Sequence, residues 1–160
     1  MKKFVKYIMI ACLAIVGVSS CETYGDDYKQ EFSPIFPLCG EWKAAITDVA
    51  AGTTVNSVIY TYDTADKSAT QMWLWINVSK YGTKCKLTCD VKASTFSGSG
   101  AANTLLGGTN NVSDGKVVVN GADTPSGYKA DSIEMTYYSS LTQKTYKIKG
   151  FRRTGWPEDE

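Results

Sequence analysis

Residues 84–92 read KCKLTCDVK, and apolar and polar side chains alternate along them without a break. In an extended strand Cys85, Leu87, Cys89 and Val91 share one face, and the polar side chains share the other. A helix would instead repeat its apolar positions every three or four residues. This stretch therefore predicts a β-strand with one face turned into a core.

The same alternation recurs on both sides of this stretch and separates into short runs. The runs cover residues 42–46, 58–62, 72–78, 117–119, 133–137 and 146–148. Residues that favour turns stand between them, at 63–68, 81–82, 97–100, 107–108, 114–115 and 121–127. Asp114-Gly115 in particular is typical of a two-residue hairpin turn. We therefore expect an all-β domain of seven or eight short antiparallel strands, arranged as a barrel or a sandwich.

The N-terminus has the features of a targeting segment. Three lysines precede an apolar run over residues 7–18, and Val18-Ser19-Ser20-Cys21 follows it. The run is shorter than the roughly 20 residues that a spanning helix needs. The position of Cys21 resembles the bacterial lipobox, which implies acylation of this cysteine and attachment to a membrane through its acyl chains.

These signals divide the chain into four parts. We expect a lipoprotein signal peptide over residues 1–20, a tether over 21–37, the β-domain over 38–156 and an acidic tail over 157–160. The expected location is the outer membrane, on its periplasmic face or at the cell surface.

Composition excludes several functions. The chain has 17 Lys and Arg, three of them in the predicted signal peptide, against 16 Asp and Glu, so it lacks the basic stripe of a nucleic-acid-binding protein. It has no histidine, which excludes a Ser-His-Asp triad and an HExxH zinc site. We therefore expect no catalytic residues, no metal site, no cofactor and no nucleic-acid partner.

Three cysteines follow Cys21 in the predicted mature chain. Cys85 and Cys89 lie four residues apart on one strand, about 13 Å at the usual strand rise, so they cannot pair with each other. Two states remain for these cysteines: a disulfide from Cys39 to either Cys85 or Cys89, or buried free thiols.

The two ends of the β-domain resemble a known fold. Gly40-Glu41-Trp42 opens the first strand and Arg152-Arg153 closes the last one. In the lipocalin-like (calycin) barrels a Gly-x-Trp on the first strand is covered by a basic side chain from the final strand. The resemblance implies an up-and-down β-barrel of about eight strands, in which Arg152 covers Trp42 at one end.

A narrower resemblance covers most of the predicted mature chain. The lipobox, the tether, Gly-x-Trp and the run GFRRTGWPED at residues 150–159 look like a family of small bacterial lipoproteins named "lipid-binding putative hydrolase". That family is described as calycin-like. Its name implies lipid binding, whereas no residue pattern in this chain supports the hydrolase part.

Aromatic side chains are the candidates for ligand binding. The candidates are six of the aromatic residues on predicted strands: Tyr60, Tyr62, Trp73, Trp75, Tyr137 and Tyr146. They could line a cavity for a lipid or another small hydrophobic ligand, or they could simply fill a closed core. Trp73 and Trp75 could also face outward.

Two functions follow from these alternatives. The first is an envelope lipoprotein that binds a lipid or small hydrophobic ligand without catalysis. The second is an accessory or scaffolding subunit of an outer-membrane uptake or assembly complex, with a filled barrel and envelope proteins as partners.

Overall fold

The computed structural model describes residues 30–160, where eight antiparallel strands close into a barrel. Each strand pairs with its neighbours in sequence order, and β8 pairs back to β1. The strands are β1 Gly40–Asp48, β2 Thr54–Asp63, β3 Gln71–Ile76, β4 Thr83–Asp90, β5 Thr95–Ala102, β6 Thr109–Asp123, β7 Lys129–Ser139 and β8 Lys144–Arg152. The predicted all-β barrel of about eight strands is confirmed.

The barrel interior is filled by the inward-facing side chains of the alternating strands. In β4, Cys85, Leu87 and Cys89 are buried whereas Lys86 and Thr88 are exposed. The largest side chains of the core have less than 2% of their surface exposed, Trp42 and Tyr137 among them. A side chain that lined a water-sized cavity would keep accessible surface, so the interior around these residues is solid.

The up-and-down order places alternate loops at opposite ends of the barrel. The end with loops 64–70, 91–94 and 124–128 is termed the closed end, because the segment before β1 covers it. There Ile35 and Leu38 are fully buried, and Phe36–Leu38 forms a single 3₁₀ turn. The packed domain thus begins before residue 38. The end with loops 49–53, 77–82, 103–108 and 140–143 is termed the mouth.

Two turns predicted from sequence lie inside strands. β6 runs through Asp114-Gly115, where Asp114 has a φ of 54° and the pairing with β7 shifts register. The backbone of Gly115 lies against Phe96, so that a Cβ there would collide with the Phe96 ring and carbonyl. Residues 97–100 likewise belong to β5, which also shifts register against β6. These corrections have one cause: residues that tolerate left-handed backbone angles serve a β-bulge as well as a turn.

The predicted acidic tail packs on the barrel. Pro157–Asp159 forms a second 3₁₀ turn, and Asp159 is buried. Neither this turn nor the other helical segment of the described residues is long and apolar enough to cross a membrane. The predicted signal peptide, Cys21 and most of the predicted tether lie outside the described residues.

Candidate functional site

The closed end is organised around Trp42 and Arg152. The two residues are cross-strand partners of β1 and β8, and the Arg152 guanidinium lies 4.6 Å from the centroid of the Trp42 ring. The indole nitrogen donates to the Thr61 hydroxyl at 2.8 Å, and that hydroxyl donates to the Leu38 carbonyl at 2.6 Å. The ring is fully buried, and its single polar group, the indole N–H, is paired inside the protein.

Arg152 ties three parts of the closed end together. Its guanidinium donates to the carbonyl oxygens of Pro37 and Cys39, and its Nε donates to Asp131 Oδ2 at 3.1 Å. A Cβ on Gly40 would lie 2.5 Å from the Arg152 Nη1, which gives the glycine of Gly-x-Trp a steric reason. Arg153 instead faces outward to Glu41 and Glu160. The arrangement is that of a structural closure.

Tyr137 and Tyr146, two of the predicted ligand-binding aromatics, lie inside the barrel near the mouth. Their rings stack with centroids 5.8 Å apart, and Tyr81 from the loop between β3 and β4 stacks on Tyr146 at 4.3 Å. The Tyr137 hydroxyl lies 3.1 Å from the Tyr81 carbonyl and 3.1 Å from Asn110 Oδ1. Burial raises the pKa of Tyr137 to about 12 and also raises that of Tyr81. Both phenols therefore stay neutral at physiological pH.

A cleft of about 280 Å³ opens beside this stack. Its walls combine apolar or aromatic side chains with lysines: Ile46, Val55, Tyr81, Tyr146, Lys80 and Lys144. Lys144 donates to Asp48 Oδ2 at 2.6 Å. That hydrogen bond, with those from the Ala51 and Ala50 amides, holds the pKa of Asp48 below its usual value, and it raises the pKa of Lys144. The cleft can thus accept an apolar group, and because Asp48 neutralises Lys144, the net positive charge at its edge comes from Lys80.

The other four predicted aromatics face outward: Tyr60, Tyr62, Trp73 and Trp75. Together with Lys84 and Lys86 of β4 they form an outer-wall cluster. The Tyr60 and Trp75 rings stack with centroids 5.0 Å apart. Lys84 Nζ and Lys86 Nζ lie 5.6 Å and 5.4 Å from the centroid of Trp73. The structure therefore divides the predicted ligand-binding set. These four side chains cannot line an interior cavity, because other residues occupy the inward positions of β2 and β3: Ile59, Thr61, Met72, Leu74 and Ile76.

The outer-wall cluster has one unsatisfied polar atom. Trp75 Nε1 is buried yet has no hydrogen-bond partner among the described residues. An unpaired buried donor costs free energy, so this atom lowers the stability of the wall.

The three described cysteines are free thiols, so the disulfide predicted from Cys39 to Cys85 or Cys89 is not formed in the structure. Cys39 lies at the closed end, where its thiol donates to the Ile35 carbonyl at 3.4 Å. Cys85 lies in the mouth half of β4, near Thr83 and Asn110. Burial raises the pKa of all three thiols, that of Cys39 to about 11.

Residues 30–160 contain no group of three or more His, Cys, Asp and Glu side chains that could hold a metal ion. Several carboxylates of the barrel wall are instead paired with basic side chains, as in Lys116 with Glu134 at 2.5 Å and Arg152 with Asp131 at 3.1 Å. The geometry offers binding surfaces at the mouth and on the outer wall.

Sequence reasoning missed the loop residues of the mouth. Lys80 and Tyr81 stand in a run that shows only turn chemistry, and Asp48 and Lys144 lie 96 positions apart along the chain. Only the pairing of β1 with β8 brings Asp48 and Lys144 together. The alternation of β8 does indicate that Lys144 shares a face with Tyr146, and this was the one signal available.

Comparison with known protein families gives one match. No curated protein matches the chain. A profile described as "lipid-binding putative hydrolase" matches residues 27–157, which include all eight strands, and the predicted resemblance is confirmed. A lipid-binding family and a β-barrel together fit a lipid-binding role. The chain belongs to the lipid-binding putative hydrolase family.

Proposed function

We propose that this protein is an envelope lipoprotein that binds a lipid, or another small hydrophobic ligand, in the cleft at the barrel mouth and does not catalyse a reaction. The observation that carries the proposal is the composition of that cleft. Ile46, Val55 and the ring of Tyr146 supply an apolar wall, and Lys80 stands at its edge with no carboxylate partner among the described residues, whereas Lys144 is paired with Asp48. Such a combination suits an acyl chain joined to a negatively charged headgroup.

The packed interior limits how the ligand would bind. Ile59, Leu74, Ile76 and Ile148 fill the barrel below the cleft and have no exposed surface. A ligand would therefore lie across the mouth, with only the end of a chain directed toward Tyr146. Binding in this mode requires no rearrangement of the core.

The proposal includes anchoring at the outer membrane through Cys21. The order of lysines, apolar run and Val18-Ser19-Ser20-Cys21 supports it. More than one acyl chain would make the attachment nearly permanent, since each buried methylene adds about 0.8 kcal/mol. Incorporation of labelled palmitate into the native chain, and its loss in Cys21→Ser, measures this directly.

Fluorescent fatty acid titration tests the cleft. Val55 is 47% exposed, so Val55→Asp leaves the core intact while it places a carboxylate in the apolar wall. We expect at least tenfold weaker binding of a dansyl-labelled fatty acid, and a similar loss in Lys80→Glu. Val119→Asp, which alters a more exposed valine of β6, is the matched control and should bind as the native chain does.

A second candidate is an accessory or scaffolding subunit that docks an envelope protein through the outer-wall cluster. The solid interior and the outward-facing aromatic rings beside Lys84 and Lys86 favour it. If the native protein binds no fatty acid, and native mass spectrometry after purification from its host shows no bound lipid, the mouth proposal fails and this candidate takes precedence. A loss of binding in Trp73→Ala with none in Val55→Asp would move the ligand to the outer wall.

A further inference from the structure

The mouth carries a rim of exposed aliphatic side chains. Five of them, each between 42% and 52% exposed, stand on or beside its loops: Val49, Val55, Leu105, Leu106 and Leu141. They come from three of the four loops and from the start of β2, so they surround the opening instead of forming a patch on one wall. Exposed apolar groups that gather on one part of a domain mark a contact surface. The large exposed apolar side chains in the loops and flanking segments of the closed end are aromatic instead, among them Phe36, Tyr128 and Trp156.

At the loop tips, several backbone amides already have hydrogen-bond partners within the protein. The buried side chain of Asn103 accepts from the amides of Leu105 and Leu106 at 3.0 Å and 3.3 Å, and it donates to the Gly82 carbonyl at 2.9 Å. In the loop after β1, the Asp48 Oδ1 likewise accepts from two backbone amides, those of Ala50 and Ala51. Such tips can leave water at low cost, because these amides do not lose a hydrogen bond when they do so.

The charge at this end is positive and small. Lys80 is the one charged residue within the four mouth loops, and no carboxylate among the described residues lies within salt-bridge distance of it. Asp48, at the end of β1, is paired with Lys144. The loops of the closed end differ, since they include exposed Asp66, Lys67 and Lys92.

We propose that the rim docks on the surface of a lipid bilayer with anionic headgroups, with its aliphatic tips entering the interface and Lys80 contacting headgroup phosphates. The inference rests on the proposed function, because the rim surrounds the cleft where the ligand would lie. Docking would place the mouth against the bilayer, so that a lipid could pass between bilayer and cleft without crossing water. Aliphatic tips with lysine beside them suit the apolar and anionic layers of such an interface.

Vesicle flotation tests the docking. The protein is residues 21–160 with Cys21→Ser, so that no acyl chain contributes; the packed core lies within residues 35–148. Vesicles are phosphatidylcholine alone, or phosphatidylcholine with phosphatidylglycerol. We expect binding to the mixed vesicles that falls as salt rises, and weaker binding to phosphatidylcholine alone.

The adjacent leucines of the rim provide a variant with a close control. Leu105→Asp with Leu106→Asp should reduce binding to mixed vesicles at least tenfold. Val118→Asp with Val119→Asp makes the same chemical change at an adjacent, exposed pair on β6, toward the closed end, and should leave binding unchanged. Leu141→Asp, on a different mouth loop, should also weaken binding, which keeps the test valid if the double leucine variant is misfolded by circular dichroism. Lys80→Glu should remove the preference for phosphatidylglycerol.

Several results would overturn the inference. The first is no binding of the native sequence to either vesicle, and the second is equal losses in the leucine and valine pairs. The third is native-level binding in the rim variants, which would place the membrane contact on another surface. The fatty acid titration, made without vesicles, separates this from the proposed function. Fatty acid binding without vesicle binding would contradict only the proposed bilayer docking. Vesicle binding without fatty acid binding would contradict only the proposed ligand binding in the cleft.

Discussion

Single residues at the closed end decide how the barrel is sealed. Trp42 fills the space at the start of β1, and Arg152 covers its face while it donates to backbone carbonyls of the preceding segment. A lysine could supply the charge but not the planar, multidentate contact. The next residue, Arg153, makes its ion pairs in solvent, where such pairs contribute little.

Matched lysine substitutions test this contrast. We expect Arg152→Lys to lower the free energy of unfolding by about 1–3 kcal/mol, because hydrogen bonds from a charged donor to the part-buried Cys39 carbonyl and Asp131 carboxylate are lost. Arg153→Lys should cause a clearly smaller change. Urea unfolding followed by tryptophan fluorescence measures both, and equal effects would refute the structural role of Arg152.

At the scale of elements, the C-terminal segment is part of the domain. The carboxylate of Asp159 accepts from the Ser126 amide and hydroxyl at 2.7 Å each, and from the Thr154 hydroxyl at 2.6 Å. It thereby joins the loop between β6 and β7 to the segment after β8. Burial alone would raise the pKa of Asp159, but the hydrogen bonds from Thr154 and Ser126 outweigh it and hold that pKa below its usual value.

This pKa has a consequence for acid stability. A carboxyl group with a depressed pKa in the folded state stabilises the fold above its unfolded value, about pH 4, and this stabilisation is lost as the pH falls through the folded value. Asp159→Asn should therefore lower the thermal midpoint at neutral pH and make its decline below pH 4 shallower. Glu158→Gln, at the exposed neighbour, should leave the profile as it is in the native chain. Overlapping profiles for the native chain and Asp159→Asn would contradict the assignment.

The whole molecule is one closed sheet, in which every strand has two partners and no edge is free. Its inward side chains form a single core that extends from Ile35 at the closed end to Tyr146 near the mouth. Because the interior is solid, ligand binding by the barrel depends on the mouth. Contacts of its surface depend on the outer wall. We expect the domain to unfold as one cooperative unit.

The cysteines report on that cooperativity. Cys85 and Cys89 are buried in β4, and the raised pKa values of the three thiols keep them protonated, hence unreactive, near neutral pH. Iodoacetamide should modify Cys85 and Cys89 only as fast as global unfolding exposes them, with the same urea dependence as fluorescence and circular dichroism. Peptide mapping by mass spectrometry resolves each site. Rapid modification of Cys85 without urea would show that β4 opens locally.

Much of the fold could be predicted from local patterns, because alternation depends only on neighbours along the chain. Residues 84–92 indicate their buried face without reference to any other strand, and Gly40, Trp42 and Arg152 indicate where the sheet closes. The bulge at Asp114-Gly115 could not be told from a turn, since both need the same backbone angles.

Tertiary structure alone decided which residues meet. Alternation places Trp73 and Met72 on opposite faces, but it does not say which face is inside until the sheet closes and aliphatic side chains take the interior. The mouth cleft likewise depends on the pairing of β1 with β8, which joins Asp48 to Lys144 across most of the chain. Sequence determines the faces of each strand locally, whereas register and closure are long-range choices made by packing.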